Sequence, residues 1–213
     1  MSQLQFLEKV MLRLQLSPQE VIDYLRGKCE ENRDSNIMPV PGMYWYSDYT
    51  YSFDVCAGKV ISGVVGAVFP EWRKVLCICL DEIQLKWSNR TSLVGTENLS
   101  GQEATATIEK AVHWEGYITP AIEYCLNYEH YGIKKGEAFL FSLSEAKSFS
   151  PFIDESINPA LRRIVCPELN KNYWTSTECN AYQAWKFCLA KGKPLNRKNY
   201  DQNYVRPVFW REY

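Results

Sequence analysis

The sequence predicts an α+β fold in which short antiparallel strands and two or more helices follow an N-terminal helical hairpin. Three observations predict it. Apolar residues near the N-terminus recur at spacings of three and four, the helical period. A middle stretch is rich in β-branched residues broken by glycine. From Tyr173 onward, strand-like runs alternate with polar turns.

The elements follow in order. Leu4, Leu7, Met11 and Leu14 form one helical stripe. Ser17-Pro18-Gln19-Glu20 then reads as a helix start: Ser17 as N-cap, Pro18 in the first turn, Glu20 closing a capping box. Val21, Leu25 and Cys29 continue its apolar side. Residues 1–35 are thus a helical segment with two open readings: packing on the main domain, or docking and homo-oligomerisation. Residues 31–43 are polar, then proline-rich, as a linker would be. The main domain is expected over 44–213.

Within it, residues 60–69 and 72–80 read as strands, with a turn at Asp81 leading to Lys86-Trp87. Residues 88–107 are polar and turn-rich, a long surface connection. Residues 118–132 predict a helix with Ile122, Cys125 and Leu126 on one face. A short strand over 137–141, a helical turn from Ser144 to Lys147 and a helix opened by Asn158-Pro159 come next. Beyond Pro167, three strand-like runs predict an antiparallel meander.

Composition excludes several classes. With 24 Lys and Arg against 25 Asp and Glu, no global field recruits nucleic acid or an anionic membrane. No apolar run is long enough to span a bilayer, so no membrane insertion is expected. The N-terminal stretch lacks the apolar core and cleavage site of a secretory signal. The expected location is therefore the cytoplasm at synthesis, with a virion as a later destination. The 8 cysteines include no C-x-x-C pair, and only His113 and His130 could join them at a metal. They read as small buried hydrophobes, with Cys77 and Cys79 on one strand face. No cofactor and no metal are expected.

The C-terminal region carries a specific ordered pattern. Tyr173-Trp174-Thr175-Ser176-Thr177-Glu178, then Ala184-Trp185, then Asn203-Tyr204-Val205-Arg206-Pro207-Val208, resembles the YWSSTE…AW…YVRPV pattern of a bacterial and phage C-type-lectin-like family. That family includes DUF1566-type proteins and variable proteins targeted by diversity-generating retroelements. Upstream, Gly136 to Glu145 stands in place of the family's GDWYLPSLGEL, and Ile157-Asn158-Pro159-Ala160-Leu161 matches its IN-x-AL. Gly66-Ala67-Val68-Phe69 and Asp81…Trp87-Ser88 are weaker matches, so the resemblance covers about 53–213. Phe139-Leu140-Phe141 and Cys179 depart from the pattern. The resemblance implies a C-type-lectin-like fold and a non-catalytic binding role.

Trp174, Glu178, Trp185 and Arg206 read as fold-specifying residues. The aromatics supply apolar area for short strands. Arg206 cannot shed its charge and needs a partner when buried, for which Glu178 is the candidate. The intervals between the motif blocks differ in character. They hold Cys179, Asn180, Tyr182 and Gln183; then Lys186, Cys188 and Ala190, opposite Trp185 and Phe187 by alternation; then Lys193, Leu195, Asn196, Arg197, Asn199, Tyr200 and Gln202. In retroelement-diversified relatives these intervals vary, so the resemblance implies that these residues bind a protein or cell-surface ligand. A solvated loop surface is the plain alternative.

Other functions compete. A structural virion or surface-assembly subunit would use the same face for packing. An enzyme of the formylglycine-generating type shares the lectin-like fold, but no reactive cysteine pair with a base is evident. The Glu-Pro-Asn and Trp-Asn-Asp calcium ligands of true C-type lectins are missing, which argues against calcium-dependent sugar binding.

Overall fold

Near-continuous burial along the β-branched runs builds the centre of the molecule. The computed structural model describes residues 38–89, 94–115, 117–188 and 193–213. The expected helical hairpin over 1–35 lies outside the described residues. The expected linker is corrected at its C-terminal end: Val40 and Met43 are buried in the core, and the Gly42 amide donates to the Val65 carbonyl.

Two sheets organise the chain. The first contains β1 (Tyr44–Tyr46), β2 (Tyr51–Ser52), β3 (Ile61–Phe69), β4 (Lys74–Cys79), β6 (Phe139–Leu140) and β11 (Pro207–Glu212), in the order β2-β1-β3-β4-β11-β6. The second contains β5 (Ile83–Lys86), β7 (Asn172–Asn180), β8 (Gln183–Cys188), β9 (Lys193–Arg197) and β10 (Gln202–Val205), in the order β5-β10-β7-β8-β9. Helices α1 (Gly101–Glu115), α2 (Pro120–Leu126), α3 (Leu143–Phe149) and α4 (Asn158–Arg163) lie between β5 and β7 in sequence. The α+β class is as the sequence predicts.

Strand β4 is covered on both faces. Leu76 and Ile78 pack with Val64, Phe139 and Val208, while Val75, Cys77 and Cys79 pack with Trp45, Val65 and Phe209. The two cysteines share a face, as their spacing requires. At Gly63 a Cβ would sit 2.6 Å from the Ile78 carbonyl oxygen, so only glycine lets β3 approach β4 this closely.

Three expectations are corrected. The stretch 88–107 is not all connection, because α1 begins at Gly101 and anchors through Ala104 and Ile108, both buried. The loop after β8 contains a strand, β9, paired to β8. The C-terminal runs are not a simple meander: β10 pairs with β7 in parallel at Tyr204 and Tyr173, and β11 crosses into the other sheet.

One carboxylate ties two helix starts together. Ser142 caps α3 with Glu145 in a reciprocal capping box, and the Glu145 carboxylate also accepts from the Gly101 amide that opens α1. Burial pushes the Glu145 carboxyl above the usual carboxylate range, against the pull of the Ser142 and Gly101 amides.

Candidate functional site

The second sheet turns its motif residues inward. Residues 173–178 of β7 are all buried, so both faces of the strand are covered here. Its register with β8 is irregular between Trp174 and Glu178 and between Glu178 and Asn180. The buried polar run is bonded internally. Trp87 Nε1 donates to the Thr175 carbonyl at 2.8 Å, Trp174 Nε1 to the Leu85 carbonyl at 2.9 Å, and Thr96 Oγ1 to the Ser176 carbonyl at 2.8 Å.

Glu178 is the anchor of this end. Its Oε2 accepts from the Val94 and Gly95 amides, both at 2.9 Å, and its Oε1 pairs with Lys198 Nζ. Both side chains are 0% exposed. The Lys198 ammonium also lies 4.7 Å from the centre of the Trp87 ring. Backbone bonds continue the clamp: the Lys198 amide donates to the Tyr182 carbonyl, and the Ser88 amide to the Lys198 carbonyl. Burial pulls the Lys198 pKa below the usual lysine value, and Glu178 opposes that pull.

Arg206 has a different partner from the one expected. Its guanidinium donates to Glu82 at 3.2 Å, to the Cys79 carbonyl at 2.6 Å and to the Pro167 carbonyl at 3.1 Å. The reason is distance along β7. Tyr173 sits beside β10 at Tyr204. Glu178, five residues further on, is about 16 Å away at strand spacing. Glu82 also accepts from Tyr173 Oη at 2.7 Å and pairs with Lys171, whose ammonium lies 4.1 Å from the Tyr204 ring centre.

The expected binding residues divide. Cys179, Asn180, Tyr182, Tyr200 and Gln202 are exposed, with Tyr182 at 63% and Tyr200 at 68%. Gln183, Lys186, Cys188 and Asn199 are half-buried. Asn180 and Gln183 also shape the turn. Asn180 Nδ2 donates to Gln183 Oε1 at 3.0 Å, and the Tyr182 amide donates to Asn180 Oδ1 at 2.9 Å.

Lys193, Leu195, Asn196 and Arg197 lie on β9, the edge strand, with Lys193 opposite Lys186, Asn196 opposite Ala184 and Arg197 opposite Gln183. Ala190 lies outside the described residues. Thus β8, β9 and the 179–182 turn lie together at one edge of the second sheet, whereas Gln202, on β10, pairs with Lys86 of β5 toward the other edge. Trp185, expected in the core, is half-buried and joins none of the three core clusters, whereas Phe187 packs inside. Ala184 is buried beside Trp174 and Trp87, so β8 is partly covered on both faces.

Sequence reasoning missed Lys198, Glu82 and the Val94–Thr96 amides. Lys198 sits in a polar run like any solvated lysine, and backbone amides carry no sequence signal. A separate groove of about 400 Å³ between α1 and α2 shares no residue with the β8–β9 edge. Among the described residues, no cluster of His, Cys, Asp and Glu could hold a metal ion, and no helix is long and apolar enough to cross a membrane.

No protein-family model matches the chain, and no curated protein matches it. Among solved structures it is similar to a fimbrial protein from Bacteroides ovatus ATCC 8483, with a TM-score of 0.63 and 13% identity. The match covers 80% of this chain and 48% of that one, so the chain spans about half the length of its structural relative. At that identity the likeness bears on the fold alone.

Proposed function

We propose that the chain is a non-catalytic binding protein that presents a variable surface on a C-type-lectin-like scaffold, as a target of a diversity-generating retroelement. Its ligand is a protein or cell-surface component. One observation carries the reading: a division of labour along the same strands. Trp174, Glu178 and Arg206 are fully buried and bonded internally, so their replacement disturbs folding. Interleaved with them, Cys179, Asn180, Tyr182, Tyr200 and Gln202 face outward and can change without touching the core. A rigid scaffold carrying adaptable outward residues is how binding surfaces are commonly built.

The two sheets with their intervening helices support the lectin-like reading, since three of its four motif residues, Trp174, Glu178 and Arg206, lie in the interior. Three of the cysteines fit a non-catalytic role: burial pushes the Cys77, Cys79 and Cys125 thiols up, away from the reactive thiolate. Residues 1–35 would dock the domain to an assembly or multimerise it, raising weak single-site affinity by avidity.

A second reading, a structural subunit of a virion or surface fibre, draws on the likeness to a fimbrial protein. The encoding DNA separates the two. A near-copy of codons ~173–208 that differs only at adenines, beside a reverse transcriptase gene, is the expected result. Its absence returns the outward residues to an ordinary surface and favours the structural subunit.

A further inference from the structure

Helices α1 and α2 leave a groove of about 400 Å³ between them, within the range of about 300–1,000 Å³ typical of small-molecule sites. Its apolar part is set by Ile122, Ala138 and Phe139, all buried, with Leu126 half-buried beside them. Thr119 stands in its wall at 1% exposure, and the Thr119 hydroxyl has no hydrogen-bond partner. Buried polar groups of folded proteins are nearly always bonded, so this hydroxyl marks where a polar atom of a ligand belongs.

Three exposed charged side chains border the groove: Glu109 on α1, Glu123 on α2 and Lys135 just beyond α2. Among the described residues, none of the three forms an ion pair. Glu123 Oε1 accepts from the Thr119 amide at 3.1 Å, which brings this carboxylate back to the Thr119 turn and leaves Oε2 for another donor. At the far end, the Gly136 amide donates to the Leu126 carbonyl at 2.8 Å and so sets Lys135 beside the last turn of α2. Negative charge thus gathers at one end of α2 and a positive charge lies at the other.

From this we infer that the groove binds a peptide of two or three residues with free termini and apolar side chains. Its ammonium meets Glu109, Glu123 and the Thr119 hydroxyl, its carboxylate meets Lys135, and its side chains lie on Ile122, Leu126 and Phe139. The length follows from α2. Its 7 residues span about 10 Å at 1.5 Å each, and an extended chain covers about 3.3–3.6 Å per residue. A helix of a larger partner fits less well. It would need an unbroken apolar strip to meet its anchors at i, i+3, i+4 and i+7, and the three charges interrupt one. This site shares no residue with the β8–β9 edge and stands whatever that edge binds.

The test is calorimetry on the full chain with Leu-Leu and Leu-Ala-Leu as probes. Gly-Gly, the N-acetylated peptides and the C-terminal amides serve as controls. Binding of at least one probe is expected, with Kd about tenfold or more higher once either terminus is blocked, and none for Gly-Gly. In E109Q/E123Q, in K135M and in T119V the Kd of the free peptide rises about threefold or more. Thr119 makes no side-chain cap on α2, so T119V should melt at or above the parent while its binding weakens. A hydroxyl with a merely structural role would show the reverse. Failure of both probes to bind, or binding that ignores all three variants, overturns the inference. Peptides blocked at both termini that bind as well as the free ones also overturn it, and give the groove to a segment of a longer chain.

Discussion

Glu178 and Lys198 form an ion pair in which neither side chain has any solvent exposure. The pair ties the second sheet to the 94–96 loop, because Glu178 also accepts three amides from that loop. Desolvating two charges is expensive, and good geometry with extra hydrogen bonds is what offsets it. The carboxylate has those bonds, and the ammonium has the face of Trp87.

Breaking this pair from one side should be severe. K198M leaves the Glu178 carboxylate buried without its cation and is expected to lower stability by about 3–5 kcal/mol. E178Q, which keeps an acceptor for the loop amides, should cost less. A double-mutant cycle by chemical denaturation checks this: E178Q/K198M should recover part of the loss. Additive losses would show that the two residues act independently.

Arg206 and Glu82 should behave as a second, separate unit. R206M removes donors to Glu82, the Cys79 carbonyl and the Pro167 carbonyl, and is expected to cost about 3–5 kcal/mol. R206K should not rescue it, because one ammonium cannot reproduce the guanidinium fork. Unfolding midpoints in urea for both variants are the readout.

Gly101→Ala should destabilise through a clash rather than through helix propensity. Its Cβ would lie 2.3 Å from Glu145 Oε2 and 2.7 Å from the Leu140 carbonyl oxygen. A loss of about 1–3 kcal/mol is expected, although alanine is the better helix former. A thermal melt at or above that of the parent chain would contradict the packing.

Alkaline pH should unfold the protein through its interior tyrosines. Burial pushes the Tyr124 phenol up to about 12 and those of Tyr128 and Tyr173 higher still; Asp81 adds to the first two and Glu82 to the third. Folded values above the unfolded value of about 10 mean this stability is fully present below pH ~10 and is lost as pH rises further. The denaturation midpoint should therefore fall above that pH. Y124F, which cannot ionise, should flatten the fall.

Much of the fold was legible in the sequence, and the exceptions have physical causes. The β3–β4 hairpin announced itself by β-branched residues, α2 by the shared face of Ile122, Cys125 and Leu126, and α4 by a proline in the first turn. Helix α1 did not, because among its described side chains Ala104 and Ile108 are the only fully buried apolar anchors in a polar run. Strand β9 did not, because Lys, Pro and Asn are poor strand formers that tertiary pairing overrode. The crossing of β11 into the other sheet turns on Arg206 alone, and no local pattern encodes it.

The candidate site was legible as a set of positions but not as a mechanism of support. Outward residues such as Tyr182 and Tyr200 follow from turn chemistry and polarity. Lys198 looks, in sequence, like any lysine of a polar run; the distant Glu178 and Trp87 hold it in the interior. Ion pairs between residues far apart in the chain leave no spacing signal.

The central claim is that one set of strands carries an inward scaffold and an outward face free to vary. The direct measurement is a displayed library randomised together at Cys179, Asn180, Tyr182, Tyr200 and Gln202, sorted for protease resistance. A matched library at Trp174, Glu178, Lys198 and Arg206 serves as its reference. The account predicts that most members of the first library fold as stably as the parent and that almost none of the second do. Equal intolerance in both libraries would contradict it, because the outward residues would then belong to the scaffold.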